Sequence, residues 1–439
     1  MNRRRSAAGA ALGAAVLLVL AAVWPAGAAR TSALWQDDVW ARAQVHAVIP
    51  SHSLSYVRAG AQFACGLLDG EIWCWGSNAN GRLGTGSTSP ASSNVPLGPV
   101  NGALAGRDVT ANDVGSGDNG TFACTVASGA AYCWGQSFAG QTGNFDPSTP
   151  SDAAGSLAPV PVWATGASPL AGRTVVEIEA GETVACALTS DGEAACWGQG
   201  STINPDRFSQ PKKVVAVPHA PTGDIPVGAS ISLLDTDTTT VCAIAGGLPY
   251  CWGTNNSGQV GNGTTVDAPN PVAVSGLGQV TDITTGKLHT CALSDGAAYC
   301  WGQNEGGSLG DGTTVQRTTP VPVLMPTEGG QPVTFTHIAA GYSNTCAITT
   351  VGHVYCWGQG ANGQLGNGSA TDSSVPVLVP TPSGITAFDD VTVGSGFVCA
   401  TAATAVYCWG NGTNGELGNG ASTSSNVPTT PVVAPGSAP

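Results

Sequence analysis

The chain has 439 residues and a formal net charge of −14, with only 10% charged side chains against 62 glycines and 29 prolines. With so few cations and no basic stripe, recognition of nucleic acid through its phosphates is excluded. Fourteen cysteines argue against a reducing compartment.

Residues 1–28 read as an export signal. Arg3, Arg4 and Arg5 precede an apolar run from Ala7 to Val23. Pro25 breaks the run, and Ala26-Gly27-Ala28 fits a small-x-small cleavage site. The run is at the lower length limit for a membrane span, so an uncleaved anchor is the alternative. The expected location is therefore secreted, or at the cell surface if the segment is retained. No later segment is apolar enough to span a membrane. Segment 29–55 carries Trp35, Val39 and Trp40 and is predicted to hold a short helix.

Residues 56–433 repeat themselves, and 434–439 form a tail. Cys-Trp-Gly occurs seven times, and every copy has a second cysteine nine or ten residues upstream. The pairs are Cys65 with Cys74, Cys124 with Cys133, Cys186 with Cys196, Cys242 with Cys251, Cys291 with Cys300, Cys346 with Cys356 and Cys399 with Cys408, which use all 14 cysteines. Zinc sites draw on closer pairs such as C-x2-C, and none occurs, so these read as disulfides.

Each pair closes a predicted β-hairpin. Asp295-Gly296 is a two-residue turn, and folding there sets Ser294 against Ala297, Leu293 against Ala298, and Cys291 against Cys300. Counting outward from the turn, the cysteines fall on a non-hydrogen-bonded site, where side chains are closest. Asp69-Gly70, Ser128-Gly129 and Gly246-Gly247 repeat the pattern. Ser190-Asp191-Gly192 and Thr350-Val351-Gly352 are three-residue loops ending in the glycine that a bulged turn needs. Ala403-Thr404 is poor turn chemistry, so the seventh hairpin is expected to be the least well formed. Another strand precedes each first cysteine, as in Val175-Val176-Glu177-Ile178. A glycine often lies five residues before the cysteine, at Gly60, Gly181, Gly286, Gly341 and Gly394. Before that comes a Pro-flanked edge strand such as Val321-Pro322-Val323-Leu324. Each repeat thus offers four short strands, the number in a propeller blade.

The run Gly-x4-Cys-Ala-Leu/Ile-x-Asp-Gly-x-x-Tyr-Cys-Trp-Gly-x-Asn-x-x-Gly-Gln-Leu-Gly-x-Gly resembles the regulator of chromosome condensation repeat. Its tail is seen at Asn80-Gly81-Arg82-Leu83-Gly84, Gly258-Gln259-Val260-Gly261, Asn362-Gly363-Gln364-Leu365-Gly366 and Asn414-Gly415-Glu416-Leu417-Gly418. The third repeat departs from it after Gly198. The family often has His two residues before the first cysteine, and only His289 keeps it. The resemblance implies an all-β fold, a seven-bladed β-propeller of four-stranded blades. Closure is expected from the two ends sharing one blade, with 56–76 giving its later strands and Val427 to Val433 its first.

Sites of chemistry are few. Gly358-x-Gly360-x-x-Gly363 and Gly410-x-Gly412-x-x-Gly415 imitate a dinucleotide fingerprint without its strand-turn-helix setting. Ser308 in Gly306-Gly-Ser-Leu-Gly310 imitates a nucleophile elbow, but only fills the Gln position of the repeat. Asp235-x-Asp237 lacks the rest of a calcium loop. The histidines show no ligand spacing. Catalytic residues, metal and cofactor are therefore expected to be none. Connections 137–173 and 199–230 are longer than most of their counterparts, and Phe145 and Phe208 within them are the candidate partner contacts.

The reading favoured is a secreted, monomeric, non-catalytic scaffold that presents propeller loops to an extracellular protein or surface glycan. One alternative, implied by the resemblance, is guanine nucleotide exchange as in the nuclear members. Another is a glycan-active enzyme with a channel-mouth site, drawing on acids such as Asp113, Asp146 and Asp311.

Overall fold

The computed structural model describes residues 54–433 apart from 101, 116–119, 139, 145–154, 199–214, 218, 220–222, 404 and 429. The expected signal segment, the short helix within 29–55, Phe145 and Phe208 lie outside the described residues. No helix among the described residues is long and apolar enough to cross a membrane.

The described chain forms seven antiparallel blades. Blade one is Ser55–Ala59, Phe63–Leu68, Glu71–Ser77 and Ser92–Leu97, paired in that order. Each later blade repeats this path, from an inner strand through the two cysteine strands to an outer strand. The inner strands of blades two to seven are Val109–Val114, Val175–Ala180, Ile231–Asp237, Asp282–Thr285, Phe335–Ala340 and Asp390–Val393. In blade seven the fourth position is held by two bridges, Tyr407 to Pro431 and Gly410 to Ser425.

The hairpins follow from local chemistry. Asp295 and Gly296 both take positive φ, 52° and 75°, as a two-residue turn matched to strand twist requires. Cys291 then faces Cys300, with Leu293 opposite Ala298 and Ser294 opposite Ala297. Disulfides join Cys65 to Cys74, Cys124 to Cys133, Cys186 to Cys196 and Cys242 to Cys251 in blades one to four. In blades five to seven they join Cys291 to Cys300, Cys346 to Cys356 and Cys399 to Cys408. The Cα–Cα separations are 4.0–4.1 Å throughout. Every half-cystine is buried. Each bridge closes a short ring within one hairpin, so it fixes register more than it limits the unfolded chain. Seven disulfides fit an oxidising compartment. The seventh hairpin pairs from Phe397–Gly410 to Ala402–Ala405 despite Ala403-Thr404. Its register is held by the Cys399–Cys408 bridge and its buried strands, which outweigh a weak turn.

The expected closure is not what the structure shows. The Pro-flanked strand is the fourth strand of the preceding blade, not the first of the next. Val321 pairs with Cys300, and Val377 with Cys356. Blade one is therefore complete within 55–97, and the C-terminal segment pairs with its own Cys408 strand. The physical reason is proximity: the outer strand folds straight back on the Cys-Trp-Gly strand it follows. Proline there leaves no ladder bond unmade, because the outer edge faces solvent.

The cores lie between blades. The Cys291–Cys300 face of blade five packs with Phe335, Ile338, Ala347 and Trp357 of blade six. Cys346, Cys356 and Ile348 pack likewise against Phe388, Val398 and Trp409. Cys65 and Cys74 of blade one share a cluster with Ala123 and Trp134 of blade two, and Cys124 and Cys133 of blade two with Ala185 and Trp197 of blade three. Cys196 and Cys251 fall in one larger cluster that runs from blade three to Trp301 of blade five. Cys399 and Cys408 share a cluster with Ala64 and Trp75 of blade one. One blade's disulfide thus faces the next blade's indole, and the seventh joint repeats the others.

Deleting the chain from Val427 removes Val432 from that last cluster, together with the bridge to Tyr407. The expected outcome is a lower Tm with new protease sensitivity in 397–410. Cleavage confined to 55–77 would instead support a shared blade.

Candidate functional site

The blade joints are built from the Gly-Gln-Leu-Gly tail of each repeat. Each described tail lies over the tryptophan of the next blade. The indole Nε1–H donates to the carbonyl of the residue at the Gln position. The pairs are Trp75 to Glu416 (2.8 Å), Trp134 to Arg82 (2.9 Å), Trp197 to Gln141 (2.8 Å), Trp301 to Gln259 (2.8 Å), Trp357 to Ser308 (2.9 Å) and Trp409 to Gln364 (3.0 Å). The corresponding tail of the third repeat lies outside the described residues. Two residues on comes a glycine with positive φ. At Gly366 (φ 67°), a Cβ would lie 2.5 Å from Trp409 Nε1. Glycine is required twice there, for backbone conformation and for close approach.

These contacts also settle several sequence motifs. Ser308 is buried, donates Oγ–H to Gln303 O at 3.0 Å, and lends its carbonyl to Trp357. It is a joint residue and not a nucleophile. Gly358 ends the third strand of blade six, and Gly360 and Gly363 lie in the loop that follows it. His289 is buried with Nε2 2.9 Å from Thr345 Oγ1, and burial pulls its pKa down to about 4, so it is neutral at pH 7.

The channel at the centre is the one place among the described residues where charged side chains converge. Seven inner-strand residues stand opposite the first cysteine of each hairpin: Arg58, Asp113, Glu179, Asp235, Thr284, Ala339 and Thr392. Two residues earlier on the same strand faces are Tyr56, Ala111, Glu177, Leu233, Asp282, His337 and Asp390. An inner strand leaves an edge of unpaired N–H groups, and the preceding blade answers them. Asp113 Oδ2 accepts from Ala180 N (2.6 Å), Glu177 Oε1 from Leu234 N (3.1 Å) and Asp235 Oδ1 from Thr285 N (3.0 Å). Asp282 Oδ2 accepts from Ile338 N (3.0 Å), Thr284 Oγ1 from Ala340 N (3.0 Å) and Thr392 Oγ1 from Ala59 N (3.1 Å). Arg58 Nη1 closes the circle on Asp390 at 3.2 Å. His337 Nδ1 lies 2.7 Å from Asp282 Oδ2.

Burial pushes the Asp113 carboxyl up to about 7, against the opposing pull of the Ala180 N–H and Arg58. Glu179 is held well above the usual carboxylate range, by burial first and then by Asp113, Glu177 and Asp235.

Of the acids named for a channel-mouth enzyme, the structure brings only Asp113 into the channel. Asp311 lies in a blade-five loop, 2.9 Å from Arg317 Nη2, and Asp146 lies outside the described residues. The channel cavity is about 80 Å³, room for a few waters and far below the roughly 300–1,000 Å³ of ligand sites. Asp235 and Asp237 lie on a strand, not in a metal loop, and no metal-holding group occurs among the described residues.

Sequence reasoning missed Arg58, Glu177, Glu179, Asp282, His337 and Asp390. A usable signal exists, because all six sit seven or nine residues before a first cysteine.

A closed ring of cysteine-paired blades, capped indole to loop, defines a class of propeller that the comparisons identify. Residues 22–400 match the RCC1-like domain model, and 405–437 match the regulator of chromosome condensation (RCC1) repeat. The chain belongs to the RCC1-like domain family. It is similar to the ultraviolet-B receptor UVR8 of Arabidopsis thaliana, at 34% identity over 191 residues, 43% of each protein. It is similar also to the E3 ubiquitin-protein ligase HERC2 of Homo sapiens, at 41% identity over 95 residues, 21% of this chain and 2% of the ligase. The chain thus spans less than half the length of these relatives. Among solved structures, yeast RCC1 (Prp20) superposes with a TM-score of 0.68 at 21% identity, with 87% of each chain covered. Human WBSCR16 gives 0.67 at 20% identity, covering 79% of this chain and 86% of that one. These likenesses show the shared fold.

Gly366→Ala is expected to destabilise the protein by about 3 kcal/mol, from strain plus displacement of Trp409. Gly86→Ala has a similar φ of 78° but nothing within 4 Å of the added carbon, so about 1 kcal/mol is expected. Denaturant unfolding of both variants separates close approach from backbone strain.

Proposed function

We propose that the protein is a secreted, non-catalytic interaction scaffold whose propeller loops engage an extracellular protein or a surface glycan. The observation that carries this reading is the division of labour between channel and loops. Channel side chains are used as acceptors and ion partners between blades, around a cavity too small for a sugar or nucleotide. The loops joining third to fourth strands are uniform at 254–267, 303–316, 359–372 and 411–424, but longer at 136–155; blade three departs the other way, with Cys196 pairing Val215 19 residues on, against 21 from Cys300 to Val321. Departure from a repeat is where specificity can be added without disturbing the ring. Phe138 in the 136–155 loop is 55% exposed, a large apolar side chain offered to solvent. Phe145 belongs to the same loop and Phe208 to that of blade three, and both are proposed as contacts with it. Yeast RCC1, which shares this fold, is seen bound to a protein, Kap60.

The mature, oxidised protein, used as bait in culture medium and surface extract, is expected to capture a specific protein or glycan. The Phe138→Ala, Phe145→Ala and Phe208→Ala variants should lose that capture while keeping wild-type Tm. Capture that survives all three, or that reduced and unfolded bait reproduces, contradicts this reading.

A further inference from the structure

The ionisable groups in the channel are unevenly placed. Blades two, three and four bring Asp113, Glu177, Glu179 and Asp235 to their inner strands, with Asp237 at the end of the last. No lysine, arginine or histidine lies on those three strands. Blade one supplies Arg58 and Tyr56, blade five Asp282, blade six His337 and blade seven Asp390. Arg58 bonds Asp390, and His337 lies between Asp282 and Asp390. His337 is thus engaged with blades five and seven; Arg58 bonds Asp390 and also attracts Asp113 and Glu179, one cation set against the acids of blades two to four, which repel one another.

We propose that the channel is a proton-linked lock: the folded ring takes up protons on Asp113 and Glu179, so that mild acid tightens the joints of blades two to four and alkali loosens them. Asp113, Glu179 and Asp235 line so small a cavity, with Glu177 acting on Glu179 beside it, and they cannot all ionise without mutual repulsion; burial adds to the cost for Asp113 and Glu179. A protonated carboxyl keeps an acceptor oxygen. The bond that Asp113 accepts from Ala180 N therefore persists on protonation, while the repulsion on Glu177 and Asp235, which accept from Leu234 N and Thr285 N, falls.

The direction of the pKa displacements agrees. Asp113 is raised to about 7 and Glu179 well above its usual range. A group raised on folding stabilises fully below its unfolded pKa and loses that contribution as pH rises through its folded value. For Asp113 this window runs from about 4 in the unfolded chain to about 7. His289 works in the opposite sense over an overlapping window, but it is common to wild type and variants and drops out of their difference. Its depressed pKa costs stability as pH falls from about 6.5 to about 4. Above pH 6.5 it does not interfere.

The test is thermal unfolding of the full oxidised protein between pH 5 and 9, beside Asp113→Asn, Glu179→Gln and the double variant. Each substitution keeps an acceptor oxygen and removes the ionisation. The Tm of a variant minus that of wild type is expected to be smallest at pH 5 and to grow through pH 7 to a gain of a few degrees at pH 8. A difference that stays constant with pH overturns the proposal. If the double variant does not fold, wild-type unfolding enthalpies at pH 7.5 in buffers of different ionisation heat decide the matter. Net proton release on unfolding supports the lock, and zero or net uptake overturns it.

Discussion

Each tryptophan of a Cys-Trp-Gly strand is buried, and a buried indole N–H needs an acceptor. Its own blade does not provide one. For the six whose preceding loop is described, the acceptor is a loop carbonyl of the blade before, brought within 2.8–3.0 Å because a glycine lets the loop lie against the ring. This requirement makes a blade incomplete alone and fixes its spacing to its neighbour. Applied around the circle, it returns from Glu416 in the last repeat to Trp75 in the first. Closure is therefore one more joint of the same kind and needs no exchanged strand.

The disulfides and the channel acids take complementary parts. The disulfides hold each hairpin to itself, and the indole joints hold hairpin to hairpin. On the inside, edge N–H groups that water would otherwise satisfy are met by a carboxylate or threonine from the preceding blade. Acidic residues gathered in a channel invite a catalytic reading, but here most are already engaged with backbone. What remains free to vary is the loop surface, which is where a partner-binding role is proposed.

Much of the architecture was legible because it is local. Asp295-Gly296 sets the turn, the turn sets the register, and the register brings Cys291 to Cys300. The period of Cys-Trp-Gly then counts the blades. A period does not say where a unit begins, so Val321-Pro322-Val323-Leu324 reads equally well as the start of one blade or the end of another. Only pairing with Cys300 decides it. The channel was hidden for a different reason. Six of its positions lie seven residues before a first cysteine and Asp113 eleven, and they hold Arg58, Asp113, Glu179, Asp235, Thr284, Ala339 and Thr392, with no shared residue type to draw attention. What they share is a location beside the next blade's unpaired backbone, which is a property of the closed ring.

The most direct test compares two indole joints, one internal and one at the closure. Trp301→Phe and Trp75→Phe each remove one N–H donor, leaving Gln259 or Glu416 without its indole partner. Denaturant unfolding should show both variants destabilised by similar amounts, about 1–3 kcal/mol. A Trp75→Phe protein as stable as wild type, beside a destabilised Trp301→Phe, would mean that the ring is closed by something other than this joint.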